Sequence, residues 1–204
     1  MEKQRDIFIA DEGDQWFRRN RPYLSAVNDP VLRVLTELAP ARLLEVGAAN
    51  GWRLAEARRR WGAQGTGVEP SQAARNDGAA RFPEVTLLAG TADRLPLDDR
   101  SVDCVVFGWC LYLCDRADLF RIAAEADRVL ASPGYVVVYD FFTPAPYSNP
   151  YCHREGVRSF KMDHSVLWSW HPAYTVWRHE VMGFHGADPA NVDDRLAVTV
   201  LRRE

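Results

Sequence analysis

Leu43-Leu44-Glu45-Val46-Gly47-Ala48-Ala49-Asn50-Gly51 is the stretch whose reading decides the fold. Apolar residues run into an acid, then into a loop of small residues, then into a segment patterned as a helix, Trp52 to Trp61. This is the signature of a buried strand, a tight turn and a helix N-terminus. Gly47 and Gly51 permit backbone angles and close approaches that a Cβ blocks. The first turn of the following helix offers free N–H groups to a ligand. Glu45 falls at the carboxyl end of the strand, where open α/β sheets bind their ligands.

Working outward, the pattern repeats. Residues 5–27 read as partly helical, with Pro22 interrupting or restarting the helix. This segment is either an amphipathic helix packed on the domain edge or a lid over the site, with Trp16 and Arg19 or Asn20 facing the ligand. Asp29-Pro30 reads as an N-cap with proline in the first turn, and Val31, Leu32, Leu35 and Leu38 keep helical spacing. Strands are expected at 42–46, 65–70, 85–89, 102–108 and 135–142, with helices at 52–61, 71–82 and 115–130. The fourth and fifth strands are nearly all apolar, as strands buried on both faces should be. Strand and helix alternating in this way imply a parallel sheet with right-handed crossovers. The end differs: Tyr174 to Phe184 and Arg195 to Leu201 read as two strands without a helix between them, an antiparallel hairpin.

The chain has 204 residues, 47% hydrophobic and 26% charged, with a formal net charge of -3. That suits one domain spanning 1–204 and gives no basic stripe of the kind a nucleic-acid binder carries. Arg58-Arg59-Arg60 reads as a solvated helix end, where cations suit the dipole. No stretch approaches the length of a membrane span or resembles a signal peptide, so the expectation is a cytoplasmic protein with reduced cysteines. Cys110, Cys114, Cys152 and His153 match structural zinc spacings poorly; Cys104 and Cys110 read better as small buried apolar residues. No metal is expected.

Residues 143–173 stand apart. They hold Pro144, Pro146 and Pro150, three of the five histidines (His153, His164, His171) and the aromatics Tyr147, Tyr151, Phe160, Trp168 and Trp170. A linker would be polar and repetitive. This segment is expected to be an ordered loop, with a short helix near 165–170, covering the mouth of the sheet as a substrate-covering insertion. Residues 1–28 are expected to form the helical cap.

The loop Gly47-Ala48-Ala49-Asn50-Gly51 lacks the third glycine of a dinucleotide fingerprint. Together with Leu43 to Val46 it resembles the first motif of class I S-adenosylmethionine-dependent methyltransferases. Gly67-Val68-Glu69-Pro70-Ser71 resembles their acidic second motif. Gly90-Thr91-Ala92-Asp93-Arg94-Leu95-Pro96-Leu97 resembles the adenine-side loop of the small-molecule branch often called type 11. Ser101 to Phe107 resembles the strand-four motif, and Arg128-Val129-Leu130 through Gly134-Tyr135 the turn before strand five. These matches come in family order. The resemblance implies a Rossmann-like doubly wound α/β fold, with a mostly parallel seven-stranded sheet ending in an antiparallel hairpin under an N-terminal helical lid. It implies S-adenosylmethionine as cofactor and S-adenosylhomocysteine as product.

It also implies a cofactor site of Trp16, Arg19, Glu45, Gly47, Ala49, Gly51, Glu69, Pro70, Ala92, Asp93, Arg94, Phe107, Gly108 and Trp109. Glu45 and the loop serve the methionine part. Glu69 takes the ribose hydroxyls and Asp93 the adenine amino group. Phe107 to Trp109 lie near the sulfonium, where an aromatic wall favours positive charge. Ala49 replaces the middle glycine, so its backbone is the departure to watch.

Methyl transfer is an in-line displacement in which the cofactor carries its own leaving group, so the protein mainly positions and desolvates. A hydroxyl acceptor calls for a base. His153 is the first candidate, followed by Asp163 and Tyr112. Asp140 would cap a turn, and Arg158 and Lys161 read as solvated charges. The expected acceptor is a small molecule methylated on oxygen or nitrogen, a sugar or secondary-metabolite intermediate. The sequence leaves the oligomeric state open. The competing readings are a nucleotide-cofactor oxidoreductase and a non-catalytic binding protein of the same fold.

Overall fold

The structure, a computed structural model, describes residues 3–204. Met1 and Glu2, the start of the expected 1–28 cap, lie outside them. Seven strands form the main sheet: β1 (Arg42–Val46), β2 (Gln64–Val68), β3 (Thr86–Leu88), β4 (Val102–Gly108), β5 (Leu130–Phe141), β8 (Tyr174–Gly183) and β9 (Arg195–Arg203). Their spatial order is β3-β2-β1-β4-β5-β9-β8. The first five are parallel. The terminal hairpin is inserted backwards: β9 pairs antiparallel with β5, and β8 forms the edge.

The strand faces alternate between two cores. Leu44, Val46, Val105, Phe107, Val136 and Val138 meet helix α6 (Leu119–Val129) through Ile122, Ala126 and Val129. Leu43, Cys104, Val106, Val137, Val198 and Val200 meet helices α3 (Pro30–Leu38) and α4 (Trp52–Trp61). The period of two along each strand makes this division. Asp29 caps α3 by accepting the Leu32 N–H at 2.7 Å. Ser71 caps α5 (Gln72–Arg81) through the Ala74 N–H.

Three elements differ from the sequence expectation. β5 starts at Leu130 rather than Tyr135, because Leu130 pairs with Val102 ahead of the apolar run. The expected 115–130 helix is shorter, with a 3-10 turn at Arg116–Asp118 before α6. Residues 143–173, expected to cover the mouth of the sheet, are not only loop and helix, and none of them lines the cleft described below. They contain an antiparallel pair, β6 (Tyr147–Pro150) with β7 (Arg158–Lys161), followed by the short α7 (Val166–Ser169). Four-residue strands show too few alternations to be read from sequence.

At the N-terminus, α1 (Gln4–Ile7), a π-turn (Phe8–Glu12) and α2 (Gly13–Asn20) form one helical run that ends in a 3-10 turn at Pro22. No helix among the described residues is long and apolar enough to cross a membrane.

Candidate active site

The carboxyl ends of β1, β2 and β4 open into a cleft of about 800 Å³ that is continuous with solvent. On its floor the 47–51 loop takes the shape its residues permit. Gly47 (φ 72°) and Gly51 (φ 76°) are left-handed, and so is Ala49 (φ 49°). Ala49 is therefore a residue with a Cβ held where glycine is normally found. Its methyl is buried with Phe17 of α2 and Ala74 of α5.

Glu69 follows β2 and is buried. Oε2 accepts the Ala49 N–H and Oε1 the Ser71 N–H, both at 2.8 Å. Burial pushes this carboxyl up to about 7, against the pull of those two N–H groups. Each oxygen keeps a second lone pair. Pro70, Gly90, Thr91, Ala92 and Asp93 continue the same wall. Burial raises the Asp93 carboxyl, but hydrogen bonds from Thr91 and the Arg5 guanidinium outweigh it and hold the group below its ordinary value.

The N-terminal run is the lid. Arg5, Phe8, Gly13 and Trp16 line the cleft from above. Asp115 fastens α1 from the opposite rim, accepting the Gln4 and Arg5 N–H groups at 3.1 Å each. Lys3 pairs with Asp118 at 2.9 Å, and Arg5 pairs with Asp93. The buried Gln4 amide donates to the Leu113 and Arg158 carbonyls. Asp14 of α2 accepts the Ser71 hydroxyl at 2.6 Å and the Ala73 N–H at 3.0 Å.

Beyond β4 the walls become aromatic. Trp109, itself left-handed (φ 60°), lines the cleft. It makes edge contacts with Tyr112, Tyr139, Phe141 and Phe184 at 5.1–5.8 Å between centroids. Trp16 donates from the lid to the Tyr112 hydroxyl at 3.3 Å.

The structure thus brings Trp16, Gly47, Glu69, Pro70, Ala92, Asp93 and Trp109 to one cleft. Ala49 and Gly51 shape its floor without lining it. Arg94 faces a shallow neighbouring hollow with Pro96. Arg19 turns away to Glu12 and to the Tyr151 hydroxyl. Glu45 and Gly108 sit beneath the floor against Arg53. Phe107 points into the core, where its ring lies 5.4 Å from that of Trp168, because an inward-facing β4 residue follows the pleat and not the cleft.

The three candidates for proton transfer are scattered. His153 is exposed beside the Tyr151 ring. Asp163 accepts the Ser165 N–H and hydroxyl within its own turn. Tyr112 is buried behind Trp109 and Trp16, and burial raises its phenol pKa. Asp140 accepts the Tyr112 and Phe141 N–H groups and so fixes the 110–113 turn. Lys161 is not solvated: it is buried and bonds to Asp193. Cys104 is buried, whereas Cys110 and Cys114 reach the cleft. Among the described residues no group of three or more His, Cys, Asp or Glu could hold a metal ion.

Sequence reasoning missed Arg5, Glu12, Asp115 and Arg53. Only Arg53 carried a signal, since a cation in the first turn of a helix opposes the dipole and asks for a nearby acid.

Residues 44–138 match the family model described as methyltransferase domain. No curated protein matches the chain. Solved structures share the fold. One is the Burkholderia thailandensis 1,6-didemethyltoxoflavin-N1-methyltransferase with bound 1,6-didemethyltoxoflavin and S-adenosylhomocysteine; it has 14% identity and a TM-score of 0.66 and covers 98% of this chain and 86% of that one. A chain from the Haloferax volcanii complex of a methyltransferase and its activator protein has 18% identity and a TM-score of 0.67, with 96% and 97% coverage. An S-adenosylmethionine-dependent methyltransferase from Mesorhizobium loti has 18% identity and a TM-score of 0.63, with 85% and 96% coverage. The chain shares the Rossmann-like fold of these methyltransferases, and its residues 44–138 resemble a methyltransferase domain.

Proposed function

We propose that the protein methylates a small, flat acceptor, with nitrogen the preferred target. One observation carries this reading: Phe8 and Trp16 of the lid and Trp109 after β4 line the same cleft as Glu69 and Asp93. The acids suit the two polar ends of a nucleoside, ribose hydroxyls at Glu69 and an amino group at Asp93. The bare backbone at Gly47 leaves room for the amino-acid part, since a Cβ there would lie 3.2 Å from Cys110 Cβ. The cofactor supplies an electrophilic methyl on a sulfonium.

The chain's part is to hold the acceptor in line and keep water out. Three aromatic rings offer flat apolar surface and favour positive charge. His153 and Asp163 do not line the cleft, Asp93, Asp118 and Asp115 are engaged by Arg5, Lys3 and the α1 N–H groups, and Glu69 is assigned to the ribose, which favours an acceptor atom that is nucleophilic without a protein base. A ring nitrogen or neutral amine meets that condition, and a hydroxyl does not. Tyr112 acts here through the Trp16 and Trp109 rings it supports. The 1,6-didemethyltoxoflavin-N1-methyltransferase, a structural neighbour that acts on nitrogen, supports a nitrogen acceptor. A small-molecule acceptor, and no membrane or nucleic acid, is the partner proposed.

Calorimetry with S-adenosylhomocysteine, followed by radiolabelled methyl transfer to a panel of heteroaromatic amines, phenols and sugars, tests the reading. Cofactor binding with label in the heteroaromatic amines alone is the expected result. Label confined to hydroxyl acceptors, abolished by His153→Ala or Asp163→Asn, overturns the acceptor assignment.

A further inference from the structure

Beneath the methionine side of the cleft lies a buried charge cluster. Arg53, second residue of α4, donates through Nη1 to Glu45 Oε1, and through Nε and Nη2 to Asp29 at 3.2 and 3.0 Å. All three side chains are at least nine-tenths buried. Asp29 cannot move freely, because the oxygen that takes Arg53 Nε also caps α3. Gly108 makes room for the guanidinium: a Cβ there would lie 2.9 Å from Nη1 and 3.4 Å from Glu45 Oε1. The Trp52 ring lies 4.5 Å from the guanidinium carbon. Tyr139 of β5 is within electrostatic reach of Asp29 and Arg53.

Two carboxylates share one guanidinium, so the cluster is one positive charge short. The deficit falls on Glu45, whose Oε2 is buried without a hydrogen-bond partner. A buried unpaired carboxylate oxygen is costly. Its cost is relieved when a cation arrives nearby, and Glu45 directly precedes Val46 and Gly47, which line the cleft.

We infer that Arg53 is a positioning residue for cofactor binding: it keeps Glu45 ionised and turned beneath the cleft floor, so that Glu45 attracts the ammonium of the cofactor's amino-acid end. The inference rests on the cofactor reading above. Burial raises the Glu45 carboxyl to about 7 even with the Arg53 charge pulling it down. Weakening Arg53 removes part of that downward pull, so Glu45 holds a proton more readily and the attraction weakens.

The test compares two ligands by calorimetry. S-adenosylhomocysteine carries the ammonium; 5′-methylthioadenosine has the same adenine, ribose and thioether but no amino-acid end. The variants are Arg53→Lys and Glu45→Gln. Glu45→Gln removes the carboxylate and leaves Arg53 paired with Asp29, so no buried charge is stranded. Both variants are expected to bind S-adenosylhomocysteine about 10-fold more weakly while binding of methylthioadenosine stays within about 2-fold. In Arg53→Lys the pH below which S-adenosylhomocysteine binding falls should move upward, which a merely structural role would not produce. Equal weakening of both ligands, or unchanged S-adenosylhomocysteine affinity in the folded variants, overturns the inference alone. Wild-type protein that binds neither ligand overturns the cofactor reading and this inference with it.

Discussion

The backbone N–H of Ala49 donates to Glu69 Oε2 at 2.8 Å, across 20 residues of chain. The bond ties the end of β2 to a loop residue whose φ is 49°. Two preferences oppose each other there. An alanine in the left-handed region costs roughly 1–2 kcal/mol. Its methyl, buried beside Phe17 and Ala74, returns about 0.8 kcal/mol and gives the lid a foothold.

Substitution at Ala49 should separate the two. Ala49→Gly removes the strain and the methyl together, so unfolding in urea should change by less than about 1 kcal/mol. Ala49→Val places a β-branched residue at positive φ and should destabilise by about 2 kcal/mol or more. A valine variant as stable as the wild type would show that the loop does not hold this conformation.

Asp115 should decide whether the lid stays down. It accepts two N–H groups of the first turn of α1, the task of an N-cap residue supplied from 110 positions away. Asp115→Ala should cost the lid about 1 kcal/mol and leave the sheet intact. Limited proteolysis should then cut within residues 3–23 several-fold faster, with a nearly unchanged melting temperature. Added S-adenosylhomocysteine should restore protection if the lid rests on the cofactor. Cutting at the wild-type rate would show that Lys3, Arg5 and Gln4 hold α1 without it.

The sheet was legible because its information is local. Strands such as Val102–Gly108 are short apolar runs, and Asp29-Pro30 and Ser71 announce helix starts by residue type alone. Glu69 and Asp93 are legible because each follows a strand end, Glu69 just before Pro70 and Asp93 in the turn that Gly90 opens. The lid contacts were not. Arg5 finds Asp93 at a separation of 88 residues and Gln4 finds Arg158 at 154, and nothing in either neighbourhood encodes the partner. Arg19 was expected to face the cofactor, and the π-turn at Phe8–Glu12 precedes the helix that brings it to Glu12 and Tyr151 instead. Phe107 was misplaced for a simpler reason. A period of two would put Phe107 and Trp109 on one face; they part because β4 ends at Gly108 and Trp109 is left-handed (φ 60°), a turn that the apolar run does not announce.

His164 predicts an acid-sensitive step in stability. The ring is 2% exposed, and neither nitrogen makes a well-formed hydrogen bond. Burial, with the nearby Arg116 cation, lowers its pKa to about 3; the Phe141 backbone opposes this only weakly. In the unfolded chain the group titrates near about 6.5. Between these values the unfolded state binds a proton that the folded state refuses, so stability is held above pH 6.5 and drains away as pH falls. From pH 6.5 to pH 5 the loss from this residue is about 2 kcal/mol. His164→Leu fills a similar volume and cannot titrate. Urea unfolding at pH 7.5 and pH 5.0 should show the wild type losing about 2 kcal/mol more than the variant over that interval. Equal losses would mean that His164 is protonated in the folded protein. The segment around His164 would then have to open and admit a counter-charge, at a site where the Arg116 cation already acts on the ring.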